Sequence, residues 1–212
     1  GGPGLNIAFN LRQLDRDLPV EAVVCIAQDS DGEYILEQTS QFGIRNSRTQ
    51  QTKTKHTGYA DALTLNSNGK RTFLFHAGSN EDLDLTSVDL DQFTPRILHL
   101  GAPGLHKLAD SPSLGGANQW VEALKRAQSL GIESNMEMVT LDPVVTKELV
   151  LPCLPHLSSL IINESEAGAL LDVSAKVEGA DKDINWNLLE GMAQGLISRG
   201  VSRLAGIHTP AG

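Results

Sequence analysis

The sequence has 212 residues and a formal net charge of −9 at pH 7, with 40% hydrophobic and 20% charged residues. This length fits one large domain, or one domain with a small excursion, and the composition excludes a disordered chain. The acidic balance argues against nucleic-acid binding, which needs a basic surface, and the sequence contains no apolar run long enough to span a membrane.

Two cysteines, Cys25 and Cys153, are too few for a disulfide scaffold. Both lie among aliphatic residues, where a buried free thiol is the expected state. Free thiols are typical of a reducing compartment, so we expect a cytoplasmic protein. Because the chain starts at GGPGLN without a methionine and stops directly after an apolar run, we also expect it to lack pieces at both ends.

The first part of the chain alternates between helical and strand patterns. The apolar residues Leu5, Ala8, Leu11 and Leu14 recur at roughly helical spacing, which predicts a helix over 4–17. A valine-rich run at 20–28 predicts a buried strand, and the segment 31–43 is typical of a short helix that ends at a glycine.

The next segment has a different pattern. Two strand-like runs, 60–66 and 71–78, flank the sequence SNGK at 67–70. An Asn-Gly pair tolerates positive φ and is a strong hairpin signal. The sequence therefore predicts an antiparallel β excursion over 50–78.

After Pro95, strands and helices alternate to the end of the chain. Helices of this length between strands imply βαβ units and a parallel sheet. The predicted strands are 96–102, 134–142, 158–164 and 201–209. The predicted helices are 114–131, a short one within 145–157, 165–173 and 184–200.

The first six residues, GGPGLN, offer one candidate binding site. Glycines before a helix let the backbone approach a ligand closely, and the amides at a helix N-terminus favour oxygen ligands. Asn6 can both donate and accept hydrogen bonds there. The alternative is a plain helix-entry loop or an expression remnant.

A second candidate is the strand end and helix start at 160–171, which carries Asn163, Glu164 and Glu166. Ligands of open α/β sheets bind at the carboxyl ends of strands, and carboxylates there can hold Mg²⁺ through water. The alternative is helix capping, in which Asn163 caps the helix and the glutamates complement its dipole.

The segment 42–56 contains four lysines and arginines and no acidic residue. It could attract an anionic ligand, or its charges could protect an exposed edge strand from aggregation. The six histidines show no metal-ligand spacing, and the sequence has no nucleophile elbow and no Walker A motif. The six histidines are His56, His76, His99, His106, His156 and His208.

Together, three stretches resemble the ribokinase-like (PfkB) family of sugar and nucleoside kinases. GGPGLNIAFNL at 1–11 is similar to the family's glycine signature with its asparagine, and residues 57–80 are similar to its lid strands. Residues 141–171 resemble its Asp-Pro strand end, its Leu-Pro segment and its Asn-x-x-Glu motif. The resemblance implies an α/β fold in which helices flank a mostly parallel central sheet. It also implies one ribokinase-like domain over 1–212, incomplete as given, with a small antiparallel β lid at 50–78.

The resemblance implies ATP-dependent phosphorylation of a hydroxymethyl group on a sugar or related small molecule. Gly2 and Asn6 would then bind the substrate, Asn163 and His208 the nucleotide, and Glu166 the Mg²⁺. Lid strands of this family often pair between subunits, which implies a homodimer. No nucleic-acid or membrane partner is expected.

The sequence departs from the family's ribokinase branch at Pro3, where that branch has lysine, and at Gly101, where it has a substrate-binding glutamate. The family's first strand and its Gly-Ala-Gly-Asp segment with the catalytic aspartate have no counterpart in 1–212. The catalytic residues are therefore unknown, and we expect these residues alone to lack kinase activity. The alternatives are a non-catalytic sugar- or nucleotide-binding protein, and another α/β enzyme whose glutamates only cap helices.

Overall fold

The computed structural model describes residues 2–67, 69, 71–93, 95–113, 115–174 and 185–209. The chain divides into two compact units. Unit 1 contains residues Gly1–Asp84 and Leu105–Leu108, and unit 2 contains residues Leu85–Gly104 and Ala109–Gly212.

Unit 1 combines two helices with two small sheets. Strands β1 and β2 pair in parallel, and β3 and β4 form an antiparallel hairpin. The elements are α1 (Pro3–Leu14), β1 (Cys25–Ala27), α2 (Ser30–Gln41), β2 (Gln50–Thr52), β3 (Tyr59–Thr64), β4 (Arg71–His76) and a 3₁₀ helix, Gly78–Asp82.

The second half of the chain builds a four-stranded parallel sheet in the order β5-β6-β7-β8. The elements are α3 (Leu90–Phe93), β5 (Ile97–Gly101), α4 (Lys107–Asp110), α5 (Gln119–Ser129), β6 (Glu133–Glu137), α6 (Pro143–Val150), a 3₁₀ helix (Leu151–His156), β7 (Ser159–Asn163), α7 (Glu164–Leu171), α8 (Trp186–Ser198) and β8 (Leu204–His208). The predicted alternation after Pro95 is confirmed, and helices α5, α7 and α8 pack against this sheet.

The predicted strand 134–142 is too long at its end. Strand β6 ends at Glu137, and Asp142 instead begins helix α6. Its Oδ1 accepts a hydrogen bond of 2.9 Å from the amide of Val144, and Pro143 occupies the first helical turn. Both features are standard helix-start signals, which explains why the strand cannot continue through this segment.

Helix α1 is confirmed, although it ends at Leu14, and its regularly spaced apolar residues are only partly buried. Leu5 and Ala8 lie in a small core with Ala22 and Ile44. Leu14 lies in the last turn of the helix, outside this cluster, and is 85% exposed. Helical spacing alone therefore identified the helix but not the point along it at which burial ends.

The antiparallel pairing is confined to β3 and β4 and does not extend over the whole of 50–78. Residues Gln50–Thr52 pair in parallel with Cys25–Ala27. The predicted hairpin turn is present in part: Gly69 has φ 68°, and its amide donates to the carbonyl of Leu65 at 2.8 Å. Asn68 and Lys70 lie outside the described residues.

Burial alternates along the strands of the parallel sheet. Side chains on one face, such as Met136 and Leu160, are fully buried. The other face carries less buried residues, among them Asn135, Glu137 and Ile161. Apolar residues of α5, α6, α7, α8 and the 3₁₀ helix fill the core of unit 2 against the buried face, including Trp120, Leu124, Val150, Leu154, Leu170 and Leu196.

Both cysteines are buried free thiols, as predicted. Burial raises the pKa of Cys25 to about 11 and that of Cys153 to about 12. Thiolate is the reactive form of cysteine, so neither side chain is a nucleophile near neutral pH. No helix in the described part of the chain is both long enough and apolar enough to cross a bilayer.

Candidate functional site

The carboxyl ends of β5, β6, β7 and β8 lie along one edge of the parallel sheet. The last residues of β5 and β6, Gly101 and Glu137, are register partners, and so are the last residues of β7 and β8, Asn163 and His208. This edge is where open α/β sheets bind their ligands. The structure therefore brings together Asn163 and His208, two of the predicted site residues.

Asn163 and Glu166 form a reciprocal capping box at the start of α7. Asn163 Oδ1 accepts a hydrogen bond of 2.8 Å from the amide of Glu166. Glu166 Oε2 in turn accepts one of 3.1 Å from the amide of Asn163. The capping alternative is thus realised in the structure, and it satisfies two helix-start donors at once. Capping does not exclude a second role for the same side chains.

Thr140, which the sequence analysis did not single out, closes this network. Its hydroxyl donates to Glu166 Oε1 at 3.0 Å and accepts from Asn163 Nδ2 at 3.2 Å. The Thr140 side chain therefore contacts both side chains of the capping box. Thr140 lies in the segment between β6 and α6, and only the fold brings it to the start of α7.

Glu166 is 6% exposed, yet its carboxylate keeps unused acceptor capacity. Each oxygen accepts one of the two hydrogen bonds described above and retains a second lone pair. Such oxygens fit Mg²⁺, which prefers hard oxygen ligands and usually keeps several of its waters. Among the described residues, no three His, Cys, Asp or Glu side chains converge to hold a metal ion. The donor set therefore fits a water-mediated Mg²⁺ and not a cage made by the protein alone.

The strand end after β8 is the third feature of this edge. His208 is exposed, and the following Thr209 is buried. Pro210 lies outside the described residues. The exposed imidazole beside Asn163 provides a hydrogen-bonding group at the edge of the sheet.

Gly2 and Asn6 lie in unit 1, at the start of α1. The amide of Asn6 donates to the carbonyl of Gly2 at 2.9 Å, and Pro3 begins the helix. A Cβ atom added at Gly2 or at Gly4 would meet no other atom within 4 Å. The packing of the described chain therefore does not require glycine at either position, whereas close approach to a ligand would require it.

The base of the β3–β4 hairpin is held by Asp29, the N-cap residue of α2. Asp29 Oδ1 accepts from the hydroxyl of Thr57 at 2.6 Å and from the amide of Gly32 at 2.9 Å, and Oδ2 accepts from the amide of Thr57 at 2.8 Å. The Thr57 hydroxyl, followed by the Thr57 amide, holds the pKa of Asp29 below its ordinary value. The hydroxyl also accepts from the amide of Ala27 in β1 at 2.9 Å.

The basic segment 42–56 is largely neutralised by acidic partners within unit 1. Arg45 and Arg48 contact Glu21 at 3.7 and 2.7 Å. Lys55 contacts Asp82 at 2.5 Å and Glu81 at 2.9 Å. These carboxylates compete with any anionic ligand, so three of the four cations act as structural charges.

Comparisons with known proteins identify the family and the fold. The family model described as pfkB family carbohydrate kinase matches residues 1–202. No curated protein sequence matches the chain closely enough to count as a relative.

Among solved structures, a ribokinase from Giardia lamblia is 20% identical with a TM-score of 0.73, covering 98% of this chain and 59% of its own. A fructokinase from Xylella fastidiosa with bound ATP is 18% identical with a TM-score of 0.70, covering 100% of this chain and 63% of its own. A ribokinase from Cryptococcus neoformans in complex with ADP is 23% identical with a TM-score of 0.66. This match covers 98% of the present chain and 60% of that ribokinase. This chain thus has the ribokinase-like fold and spans less than two thirds of the length of each of these proteins.

Proposed function

The chain belongs to the pfkB family of carbohydrate kinases, and from this premise we propose that it serves ATP-dependent phosphorylation of a hydroxymethyl group on a sugar or related small molecule. The observation that carries the proposal is the family match over residues 1–202. Structural neighbours that include ribokinases, a fructokinase with bound ATP and a ribokinase with ADP support it.

On the nucleotide side, we assign Asn163 and His208 to contacts with ATP, because they are register partners at the carboxyl edge of the sheet. Glu166 then holds Mg²⁺ through water, using the acceptor capacity that the capping box leaves free. A bound Mg²⁺ supplies positive charge that neutralises phosphate oxygens during phosphoryl transfer. The chain's own contribution is to fix the position of the carboxylate, which Asn163 and Thr140 hold by hydrogen bonds.

On the sugar side, we assign Gly2 and Asn6 to the substrate. The space around Gly2 lets the backbone approach a hydroxyl group, and the side chain of Asn6 is exposed. The proposal assigns no base for the attacking hydroxyl, because no residue of 1–212 matches that part of the family pattern. Two buried free thiols favour a reducing, cytoplasmic setting.

The β3–β4 hairpin serves as the lid that excludes water from the transferred phosphate. It exposes large apolar side chains on both of its faces, since register partners lie on the same face. They are Tyr59, Leu63, Phe73, Leu74 and Phe75. An isolated two-stranded hairpin is marginally stable, so we propose that the lids of two copies of this protein cover each other.

The dimer is tested by analytical ultracentrifugation of the purified protein and of Phe73→Ser. Lid pairing predicts a dimer that the substitution converts to monomer, with a matched Leu14→Ser substitution outside the hairpin as control. A monomeric wild-type protein at high concentration contradicts lid pairing.

The activity itself is tested on the product of the complete reading frame, by following ADP release with D-ribose and D-fructose as acceptors, with Mg²⁺ and with EDTA. Sugar- and Mg²⁺-dependent ADP release supports the kinase. Binding of sugar or ATP without turnover favours the non-catalytic binding protein instead. If neither sugar binds and neither is phosphorylated, the proposal is wrong.

A further inference from the structure

A chain of polar side chains crosses the less buried face of the parallel sheet. His99 on β5, Asn135 on β6 and Ser159 on β7 are successive register partners. His99 Nδ1 lies 2.8 Å from Asn135 Oδ1, and Asn135 Nδ2 lies 2.9 Å from Ser159 Oγ and 3.4 Å from the Ser159 carbonyl oxygen. These three residues take no part in the site described above.

The direction of these hydrogen bonds determines which nitrogen of His99 carries the proton. The carbonyl oxygen of Ser159 can only accept, so the amide nitrogen of Asn135 points towards Ser159. The amide oxygen of Asn135 therefore faces His99, and His99 Nδ1 must donate to it. In the neutral imidazole, Nε2 is then left as an acceptor.

That acceptor faces a second acceptor. Glu137 lies two residues beyond Asn135 on β6, on the same face, and its Oε2 lies 3.4 Å from His99 Nε2. Within the described part of the chain, both atoms are buried and neither has a hydrogen-bond partner. Buried polar atoms are nearly always hydrogen-bonded, so this pair of orphaned acceptors needs an explanation.

The position of the pair suggests what satisfies it. Glu137 is the last residue of β6, and its register partner on β5 is Gly101, which carries no side chain. Ile161, on the same face of the neighbouring strand β7, is half exposed. Two acceptors beside an apolar side chain, at the ligand-binding edge of an α/β sheet, suit a ligand with hydroxyl donors and C–H surface.

We propose that His99 Nε2 and Glu137 Oε2 form a subsite that accepts hydrogen bonds from hydroxyl groups of a polyol, and so contributes to the choice of sugar. The inference rests on the proposed sugar kinase function and names two specificity-determining residues for it. A phosphate group does not fit here, because its oxygens would face the Glu137 carboxylate and an imidazole acceptor. The subsite therefore takes the hydroxyl end of a substrate and not the phosphates of a nucleotide.

The rival explanation is structural. If His99 carried a second proton, it would form an ion pair with Glu137, and no ligand would be needed. Glu137→Gln separates the two explanations, because the new amide can donate to His99 Nε2 and satisfy it without a ligand. For a subsite, the variant keeps or raises the melting temperature of the free protein and loses sugar affinity. For an ion pair, it lowers the melting temperature and leaves sugar affinity intact.

The experiment uses the purified protein with D-ribose and D-fructose as probes. Long-range ¹H–¹⁵N spectra of the imidazoles at about pH 8 report the protonated nitrogen of His99 and its response to each sugar. Calorimetry gives the sugar affinity of wild type, of Glu137→Gln and of Glu133→Gln. Glu133 is the matched control, because it lies on the same strand and face but at the other end, where it pairs with Arg203 at the surface.

The subsite predicts a proton on Nδ1 alone in the free protein and a shift of the Nε2 signal with at least one sugar. It also predicts a sugar affinity about 10-fold weaker or more in Glu137→Gln, as expected for a lost hydrogen bond to a charged group, with Glu133→Gln unchanged. In turnover, KM for the sugar rises while kcat is little changed.

An imidazolium in the free protein or an unchanged sugar affinity in Glu137→Gln would each overturn the inference. Phosphorylation of sugar with normal KM in Glu137→Gln overturns it while keeping the kinase. Sugar binding at His99 without phosphoryl transfer keeps the subsite and removes the kinase. No response of His99 to either sugar and no turnover removes both.

Discussion

The carboxylate of Glu166 accepts a hydrogen bond of 3.1 Å from the backbone amide of Asn163. The side chain of Asn163 in turn accepts one of 2.8 Å from the backbone amide of Glu166. One side chain thus serves the start of α7 and, in the proposed function, also serves Mg²⁺. The two roles respond differently to substitution. Glutamine can replace glutamate in a capping box, whereas it lacks the negative charge that holds a hydrated cation.

We therefore expect Glu166→Gln to weaken Mg²⁺-dependent turnover by about 10-fold or more, as expected when hydrogen bonds to a charged group are lost. The same variant should change the free energy of unfolding by less than about 1 kcal/mol, because the capping box survives. Glu166→Ala should instead lose about 0.5–2 kcal/mol of stability through the lost cap. Urea unfolding and Mg²⁺ titration of the activity measure the two effects.

Glu164→Gln is the matched control, because Glu164 lies in the same helical turn but takes no part in the capping box. Its Mg²⁺ dependence should equal that of the wild type. A large loss of stability in Glu166→Gln together with a normal Mg²⁺ dependence would show that Glu166 only caps the helix.

The hairpin depends on Gly69, which has φ 68°. A β-branched residue strongly disfavours positive φ, so Gly69→Val should open the β3–β4 pairing. Hydrogen exchange should become faster in 59–64 and 71–76, while the parallel sheet β5–β8 keeps its protection. Gly69→Asn is the control, because asparagine tolerates this conformation. Unchanged exchange in Gly69→Val, or helix-like protection over 60–77, would contradict the hairpin assignment.

The sequence was sufficient for the elements whose patterns are local. The alternation of helices and strands after Pro95 predicted the parallel sheet, and the glycine of the SNGK turn predicted the hairpin. Strand β2 was predicted as part of the antiparallel excursion, because the three residues Gln50–Thr52 carry no apolar pattern that identifies their partner strand. They form a strand only because β1 lies beside them, and such pairing over a distance is not visible in the sequence.

The candidate site shows the same limit. Asn163, Glu164 and Glu166 lie together at a predicted strand end, so their position predicted helix capping and a candidate metal site. The reciprocal hydrogen bond from the Asn163 amide to Glu166 was not predicted. Thr140 and the His99–Glu137 pair come from different strands or connections, and only the packing of the sheet brings them together. Side chains that meet through strand register, such as Asn163 and His208, needed the family resemblance to be linked in advance.

A substitution at Gly2 distinguishes a role in ligand binding from a role in packing. Because a Cβ atom at Gly2 meets nothing within 4 Å, Gly2→Ala should leave the stability nearly unchanged. If the backbone there approaches the sugar, the added methyl group should raise KM for the sugar. Gly191→Ala in α8 is the control, since its Cβ is equally free and it is expected to gain about 0.5–1 kcal/mol without changing KM. Equal KM values in all three proteins would remove Gly2 from the substrate site.

The link between Asp29 and Thr57 predicts a pH dependence of stability. The hydrogen bonds from Thr57 lower the pKa of Asp29 in the folded protein, so the unfolded state takes up this proton at a higher pH than the folded state. The carboxylate therefore contributes its full stabilisation above the ordinary aspartate pKa of about 4. That contribution is lost as the pH falls through the lower pKa of the folded state.

Asp29→Ala should accordingly be less stable than wild type by about 0.5–2 kcal/mol near neutral pH, the usual range for a lost N-cap. This difference in stability should shrink as the pH falls below about 4, because the wild-type carboxylate then takes up a proton and loses its charge. Thr57→Ser keeps the hydroxyl donor and should retain the pH dependence, whereas Thr57→Val should reduce it. Urea unfolding of the four proteins across this pH range measures the effect. If wild type and Asp29→Ala differ by the same amount at every pH, Thr57 does not stabilise the charged form of Asp29, and the hairpin base is held by its remaining contacts.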